Sequence, residues 1–573
     1  MNDIKALYAL WREKATEPDV AAELAAVEGK EDEILDRFWQ DLAFGTGGLR
    51  GVLGAGTNRM NVYTVGKATQ GLANYLNEDF TAPSVVIGHD SRINSDVFAR
   101  IAAEVLAANG VKVYFFPELI PTPVVAYAVR TLGCSSGIVI TASHNPSKYN
   151  GYKCYDARGY QMTDEAAAKT LGYINRCDIF EDVKRIDFDE AQKLGIIKVL
   201  PEDFLDPYFA LVRACAVEPD AAEGSGLSVI YTPLNGTGNK PVRRILKEIG
   251  LTDVTVVPSQ ELPDGRFPTC PFPNPEIREA FNEALKVAET KKADLLLATD
   301  PDCDRVGIAV HEGDGYQLVT GNEMGCLLTH YILSRRQAHG NLPENPVVIK
   351  SIVSTDMATA IAESYGAEVV NTLTGFKYIG EKMTELEAAG EADRFMIGFE
   401  ESYGYLSGMH TRDKDAVNAS MLICEMAAFY KKQGKSLLDV LSELFERYGC
   451  WKNSLYNFYF EGADGMVKMT GMMDALRRSY PTALGGHTIV KVTDYKTRKT
   501  VELATGEESP VTLPVSNVIV MEADNRDKIV VRPAGTEPKL KIYTMVQGKT
   551  ADDAAAQTDA YAKDITAVLG IEG

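Results

Sequence analysis

The sequence predicts an α/β protein: three consecutive α/β domains with mixed, largely parallel sheets, followed by a C-terminal α+β domain. Three observations predict it. Short β-branched runs alternate with helical stretches, as βαβ units require. That grammar occurs three times along the chain and changes after about residue 450. The length, 573 residues, suits roughly four domains.

Residues 1–40 place apolar side chains at helical spacing, with Ile4, Leu7, Tyr8 and Trp11, then Ile34, Phe38 and Leu42 continuing the pattern, and read as a helical arm. The first α/β domain, 41–205, shows a strand at Val85-Val86-Ile87-Gly88, a helix from Asp96 to Ala108, and strands at Val111 to Phe116 and Gly137 to Ile140. The second, 206–318, repeats it with Leu227 to Tyr231, a helix near Lys240 to Gly250, Val254 to Val257, and the strand Leu295 to Ala298. The third, 319–450, has Val347 to Ile349, a helix near Asp356 to Tyr365, and Glu368 to Val370. In 451–573 the strands Lys528 to Val531 and Leu540 to Val546 precede an Ala-rich helix from about Ala551 to Leu569.

Composition narrows the function classes. A formal charge of −21 repels nucleic acid and anionic membranes at long range. No apolar run is long enough to span a bilayer, and the amino terminus has neither the basic flank nor the apolar stretch of a secretory signal. Nine cysteines at irregular spacing, with no Cys-x-x-Cys pair, argue against a disulfide framework and for a reducing compartment. The expectation is a cytosolic protein without nucleic-acid or membrane partners. An acidic protein binds a phosphorylated metabolite only where Arg, Lys or a metal reverses the local field.

Several loops have that character. The strand Gly137 to Ile140 runs into Thr141-Ala142-Ser143-His144-Asn145-Pro146 and then Asn150-Gly151-Tyr152-Lys153. A hydroxyl just past a strand end is an exposed nucleophile in geometry. A turn in which Ser143 and Asn145 bond backbone groups explains the loop equally well. The flanking glycines of a serine-hydrolase elbow are absent.

The strand Leu295 to Ala298 ends in Thr299-Asp300-Pro301-Asp302-Cys303-Asp304-Arg305. Carboxylates at every second position converge on one hard cation, and packing three at a strand end without one is costly. An EF-hand is excluded, because Arg305 stands at the glycine position and His311 at that of the final glutamate. Gly398-Phe399-Glu400-Glu401-Ser402-Tyr403-Gly404 spaces a carboxylate and a hydroxyl to chelate sugar hydroxyls, or forms a structural turn. Arg532-Pro533-Ala534-Gly535-Thr536 offers a guanidinium fork, a close backbone approach and a hydroxyl to phosphate, or is a hairpin with a solvated arginine. The glycine-dense Phe44 to Gly51 is neither a dinucleotide fingerprint nor a phosphate loop, and says only that backbone lies near a ligand.

In this order the five elements resemble the α-D-phosphohexomutase superfamily, from about Leu42 to Tyr543, and the Thr-Ala-Ser-His-Asn-Pro and Asp-Pro-Asp-x-Asp-Arg strings carry most of the resemblance. It implies four domains around a central cleft. It further implies that Ser143 is the residue phosphorylated in the active enzyme, with His144 grouped beside it. Asp300, Asp302 and Asp304 would be Mg²⁺ ligands together with the phosphoserine, and Lys153 and Arg50 the basic pair for proton transfer and charge stabilisation. Glu400 and Ser402 resemble the sugar-hydroxyl readers. Arg532, Gly535 and Thr536 resemble the grip on the phosphate that is not transferred. Arg305, Thr374, Gly375, Lys377 and Lys414 resemble further substrate contacts. Many relatives have Ser where this chain has Ala534, which removes one phosphate contact.

The implied reaction is two phosphoryl transfers through a hexose 1,6-bisphosphate, which also serves as activator. The long amino-terminal arm and the Gly-Phe-Glu-Glu-Ser-Tyr-Gly loop are most like the longer phosphoglucomutase branch, with glucose phosphates as substrates, in a monomer or homodimer. Phosphomannomutase and phosphopentomutase are the alternatives, followed by a metal-dependent sugar phosphatase.

Overall fold

The computed structural model describes residues 2–45, 47–460, 464–534 and 539–571. The chain forms two compact units. One comprises Met1–Gly321, Ile379–Gly398 and Ser402–Gly434; the other comprises Asn322–Tyr378, Phe399–Glu401 and Lys435–Gly573.

In the first unit the amino-terminal arm is three short helices, Asn2–Lys14, Pro18–Ala26 and Glu31–Phe38. They close over Trp11, which is fully buried against Leu24, Phe38 and Ala55 and stacks edge-on with Tyr63 and Phe180. Helices this short are marginal alone, so this shared core is what holds them.

Six strands follow: β1 (Gly48–Val52), β2 (Ser84–His89), β3 (Lys112–Phe115), β4 (Ser136–Ile140), β5 (Tyr149–Asp156) and β6 (Ile197–Val199). They pair in the order β1-β5-β4-β2-β3-β6. β4, β2, β3 and β6 run parallel, while β5 and β1 are antiparallel additions. Every residue of β4 is buried, because helices cover both faces of the parallel part.

Two strands here were not legible in the sequence. The glycine-dense segment contributes β1, and Asn150-Gly151-Tyr152-Lys153, grouped above with the loop after Ile140, lies inside β5. Pairing of β5 between β4 and β1 overrides the poor strand propensity of Asn and Gly. Gly48 is required there: its φ is 137°, and a Cβ would stand 1.7 Å from the Tyr152 carbonyl oxygen.

The second sheet, also in this unit, uses β7 (Val229–Thr232), β8 (Val254–Val256), β9 (Leu295–Thr299), β10 (Val306–Glu312) and β11 (Gly315–Val319), in the order β11-β10-β9-β7-β8. β9, β7 and β8 are parallel, and β9 and β10 form an antiparallel hairpin closed by Thr299 opposite Val306. The segment Asp300 to Arg305 is the tip of that hairpin.

In the second unit β12 (Val347–Ser351) and β13 (Glu368–Thr372) pair in parallel around the helix Asp356–Ser364, the third repeat of the βα pattern. β14 (Phe395–Glu400) begins in the first unit and leads into the motif Gly398 to Gly404, and β15 (Gly404–Leu406), which follows it, lies in the first unit. The last domain is an antiparallel sheet of β16 (Cys450–Tyr459), β17 (Ala483–Leu484), β18 (His487–Asp494), β19 (Lys499–Glu502), β20 (Glu507–Pro510), β21 (Ile519–Ala523), β22 (Lys528–Pro533) and β23 (Lys539–Gly548). Its order is β16-β23-β22-β21-β18-β19-β20, with β17 paired to β18. The final helix, Ala551–Val568, buries Tyr561 and Ile565 against it. The predicted architecture of three α/β domains and an α+β domain is the one observed.

Candidate active site

The site in the first unit is built from strand ends. β4 stops at Ile140, and the Ser143 amide donates to the Thr141 hydroxyl (2.8 Å), which folds the loop back. Ser143 itself has a φ of 51°. A non-glycine residue in that region is strained, and such strain concentrates at functional sites. Its hydroxyl donates to Asp300 Oδ2 at 2.8 Å and lies 3.1 Å from His144 Nδ1. Burial, then the charge of Arg305, pushes His144 well below its ordinary pKa, so the ring is neutral.

The hairpin tip supplies the carboxylates. Asp300 Oδ1 accepts the amides of Asp304 and Arg305, both at 3.0 Å, and Cys303 takes a left-handed φ of 53° to close the turn. Asp302 Oδ2 accepts from Thr122 Oγ1 (2.9 Å) and Lys153 Nζ (2.7 Å). Asp304 Oδ2 accepts from Lys153 Nζ (3.0 Å) and Lys414 Nζ (2.9 Å). All three aspartates are at most 1% exposed. Their ligand oxygens lie within 4.8 Å of one another, and Oδ1 of Asp302 and of Asp304 is buried without a hydrogen-bond partner among the described residues. Oxygen donors converging in this way fit a divalent hard cation.

The charges respond to this crowding. Burial, with repulsion from Asp302 and Asp304, holds Asp300 well above the carboxylate range. Burial acts on Asp304 in the same direction, but Lys153, Lys414 and Arg305 outweigh it and hold that group below its usual range. Burial alone would lower Lys153; Asp302 and Asp304 reverse the effect and raise it.

The other expected residues fall into place as follows. Arg50 is exposed on β1, opposite Gly151 of β5, and its charge helps to depress His144. Arg305 pairs with Glu276. Lys414, expected among the substrate contacts, sits on Asp304, also 3.4 Å from Asp413. Ser402 is half-buried, and the carbonyl of its neighbour Tyr403 accepts from the first amide of β10.

In the second unit, Glu400 accepts the Gly375 amide at 2.7 Å, and Glu401 accepts from Ser351 Oγ at 2.9 Å. Thr374 is half-buried, and the Lys377 ammonium lies 5.0 Å from the Tyr378 ring centre. Arg532, on β22, faces the Tyr543 hydroxyl, which also feels Glu401 and Glu400. Gly535 and Thr536 lie outside the described residues.

Sequence reasoning missed several groups. Thr122 ties its hydroxyl and its amide to Asp302. Tyr155 donates to Asp413 at 2.6 Å, and Asp415 accepts from both Tyr208 and His410. Arg92 donates to the carbonyls of the Ser143 loop. Asp90 and Arg92 stand just past a strand end, as Ser143 and the aspartates do, and that position was the available signal.

Three sequence models of one family match the chain in order. They are phosphoglucomutase/phosphomannomutase α/β/α domain I over residues 41–178, domain II over 206–313 and domain III over 320–448. The phosphoglucomutase of Staphylococcus haemolyticus is 36% identical over 509 residues, covering 88% of this chain and 90% of that protein. The chain belongs to the phosphoglucomutase/phosphomannomutase family. It is therefore a mutase, an enzyme of the isomerase class. The phosphoglucomutase of Staphylococcus aureus strain USA300 is 34% identical over 553 residues, 96% of this chain and 97% of that one.

The enzyme's fold also matches solved structures. Parafusin, a phosphoglucomutase from Paramecium, superposes with a TM-score of 0.67 at 17% identity, covering 93% of this chain and 96% of that one. A phosphoglucomutase/phosphomannomutase family protein from Burkholderia thailandensis gives 0.66 at 19%, covering 92% and 97%. Among the described residues no helix is long and apolar enough to cross a membrane.

Proposed function

We propose that the enzyme interconverts glucose 1-phosphate and glucose 6-phosphate, with Ser143 carrying the phosphoryl group. The observation that carries the reading is the Ser143 hydroxyl 2.8 Å from Asp300, inside a buried trio of carboxylates. In the first transfer the bond between Ser143 Oγ and phosphorus breaks as a sugar hydroxyl bonds to phosphorus, giving a hexose 1,6-bisphosphate. The hydroxyl proton passes by way of Lys153 to the Ser143 oxygen released. After the bisphosphate turns round, its other phosphoryl group returns to Ser143 Oγ, and the proton goes back to the sugar oxygen released.

Asp300, Asp302 and Asp304 would hold Mg²⁺, which when bound neutralises charge on the transferring group. Carboxylate charge that a bound cation took up would be withdrawn from Lys153, which would lower its pKa toward the range a base needs. Arg50 keeps its proton and stabilises charge. Arg305 and Lys414 balance the trio. Neutral His144 orients the Ser143 hydroxyl. Glu400, Ser402, Thr374, Gly375 and Lys377 are assigned to the sugar, and Arg532, Gly535 and Thr536 to the phosphate that stays, by their match to the family's motifs. Nine free cysteines, eight of them buried, agree with a reducing cytosol.

The first test is the intact mass before and after incubation with glucose 1,6-bisphosphate, which also acts as activator in this scheme. A gain of one phosphoryl group mapped to Ser143 is expected, and no gain overturns the reading. Rates on glucose, mannose and ribose 1-phosphates assign the sugar. A preference for mannose or ribose overturns the glucose assignment, and release of inorganic phosphate in place of isomer would make the protein a phosphatase. Sedimentation is expected to show a monomer or homodimer.

A further inference from the structure

We propose that Arg92 is the positioning residue of the Ser143 loop: its buried guanidinium holds the loop carbonyls and so aims the serine hydroxyl at the aspartate trio. The function assigned to that aim rests on Ser143 being the phosphoryl carrier.

The Arg92 side chain is fully covered. Its Nη2 donates to the carbonyls of Ser143 and Asn145, and its Nη1 to those of Pro146 (3.1 Å) and Tyr149 (3.0 Å). The four Nη hydrogens thus meet four carbonyls of one loop, while Nε faces Asp90 Oδ2 at 3.3 Å. A strained residue such as Ser143 persists only where its surroundings over-determine it. One planar fork gripping the carbonyl of the strained residue itself and three carbonyls that follow it supplies that constraint. A lysine, with a single point of charge, cannot span them.

The grip extends in two directions. Asp90 Oδ1 accepts the Arg92 amide (2.9 Å) and the Ser95 hydroxyl (2.7 Å), and Ser95 Oγ accepts from Asn150 Nδ2 at 3.0 Å. Asn150 lies on β5, the strand that carries Lys153, so one network seats both the nucleophile loop and the lysine. From the second domain, Gly265 bridges to Arg92 and leaves no room for a Cβ, which would stand 2.4 Å from the Ile93 amide. Phe267, with a φ of 47°, places its ring 5.0 Å from the guanidinium carbon. The domain that carries the aspartates therefore also fixes the residue that aims the serine.

The test compares wild type, Arg92→Lys and Phe267→Leu by hydrogen exchange of segment 141–149, phosphoryl uptake at Ser143 from glucose 1,6-bisphosphate, and steady-state rates. Arg92→Lys is expected to speed exchange in that segment, slow uptake and lower kcat, each by about tenfold or more, with KM unchanged. Exchange in β2 and β4 stays as in wild type. Phe267→Leu keeps every hydrogen bond and weakens only the ring contact, so about threefold effects of the same pattern are expected. Unchanged loop exchange in both variants overturns the proposal. So does general loss of protection across the domain in Arg92→Lys with a silent Phe267→Leu. Failure of the wild type to take up phosphoryl would instead remove the assignment of Ser143, and loop exchange would still decide whether Arg92 aims it.

Discussion

Single side chains carry the chemistry through charge and reach. Ser143→Ala keeps the loop but loses the oxygen proposed to carry the phosphoryl group. Its mass is expected to stay constant with glucose 1,6-bisphosphate, and its mutase rate to fall by more than about three orders of magnitude. Lys153→Met removes the proposed proton acceptor and is expected to lower kcat by about 10²–10⁴ at neutral pH; near-normal turnover would reassign the role. His410 has a separate signature. Burial lowers it, but its bond to Asp415 and the nearby Cys215 outweigh that and raise it to about 9. Because the folded value lies above the ordinary one of about 6.5, the stabilisation is complete below pH ~6.5 and is lost as pH rises through about 9. Thermal melts from pH 6 to 9.5 should show the wild type losing stability across that window, with the slope absent from His410→Gln.

Elements act here by bringing loop tips together without slack. The aspartate hairpin is braced by the turn after β7, where Leu234 and Asn235 both have left-handed φ and the Thr237 amide donates to the Pro301 carbonyl at 2.8 Å. Gly236 in that turn faces backbone: a Cβ would stand 2.4 Å from Pro301 Cα and 2.5 Å from its carbonyl oxygen. Backbone cannot step aside as a side-chain tip can. Gly236→Ala is therefore expected to displace the aspartate tip, weaken Mn²⁺ binding in titration calorimetry by about tenfold, and cost about 1–3 kcal/mol of stability. Unaltered binding would show that the trio tolerates a shifted brace. At this scale much was legible. β2, β4, β7, β9 and β12 stand within two residues of their predicted positions because short buried apolar runs announce themselves. β1 and β5 did not, since Gly and Asn become strand only through their neighbours.

For the whole molecule, the cation is expected to stabilise the fold as well as the reaction. Three buried carboxylates repel one another, and Asp300 is raised by that repulsion. A divalent ion that binds only the folded chain adds about 2.7 kcal/mol at a hundredfold excess over its dissociation constant. Scanning calorimetry should show a higher Tm with Mg²⁺ than with chelator, and Asp302→Asn should reduce the difference; equal Tm values would argue against a cation on the trio.

The sequence alone determined the α/β grammar, the hydroxyl past β4 and the carboxylates past β9, because each signal lies within a few consecutive residues. Tertiary structure decided that Ser143 meets Asp300, that Thr122, Lys153 and Lys414 converge on the trio, and that Arg92 grips the serine loop. Those contacts join residues up to 180 positions apart. Their partners are selected by where strands end in space, a property of sheet order and packing that no local pattern of residue types encodes.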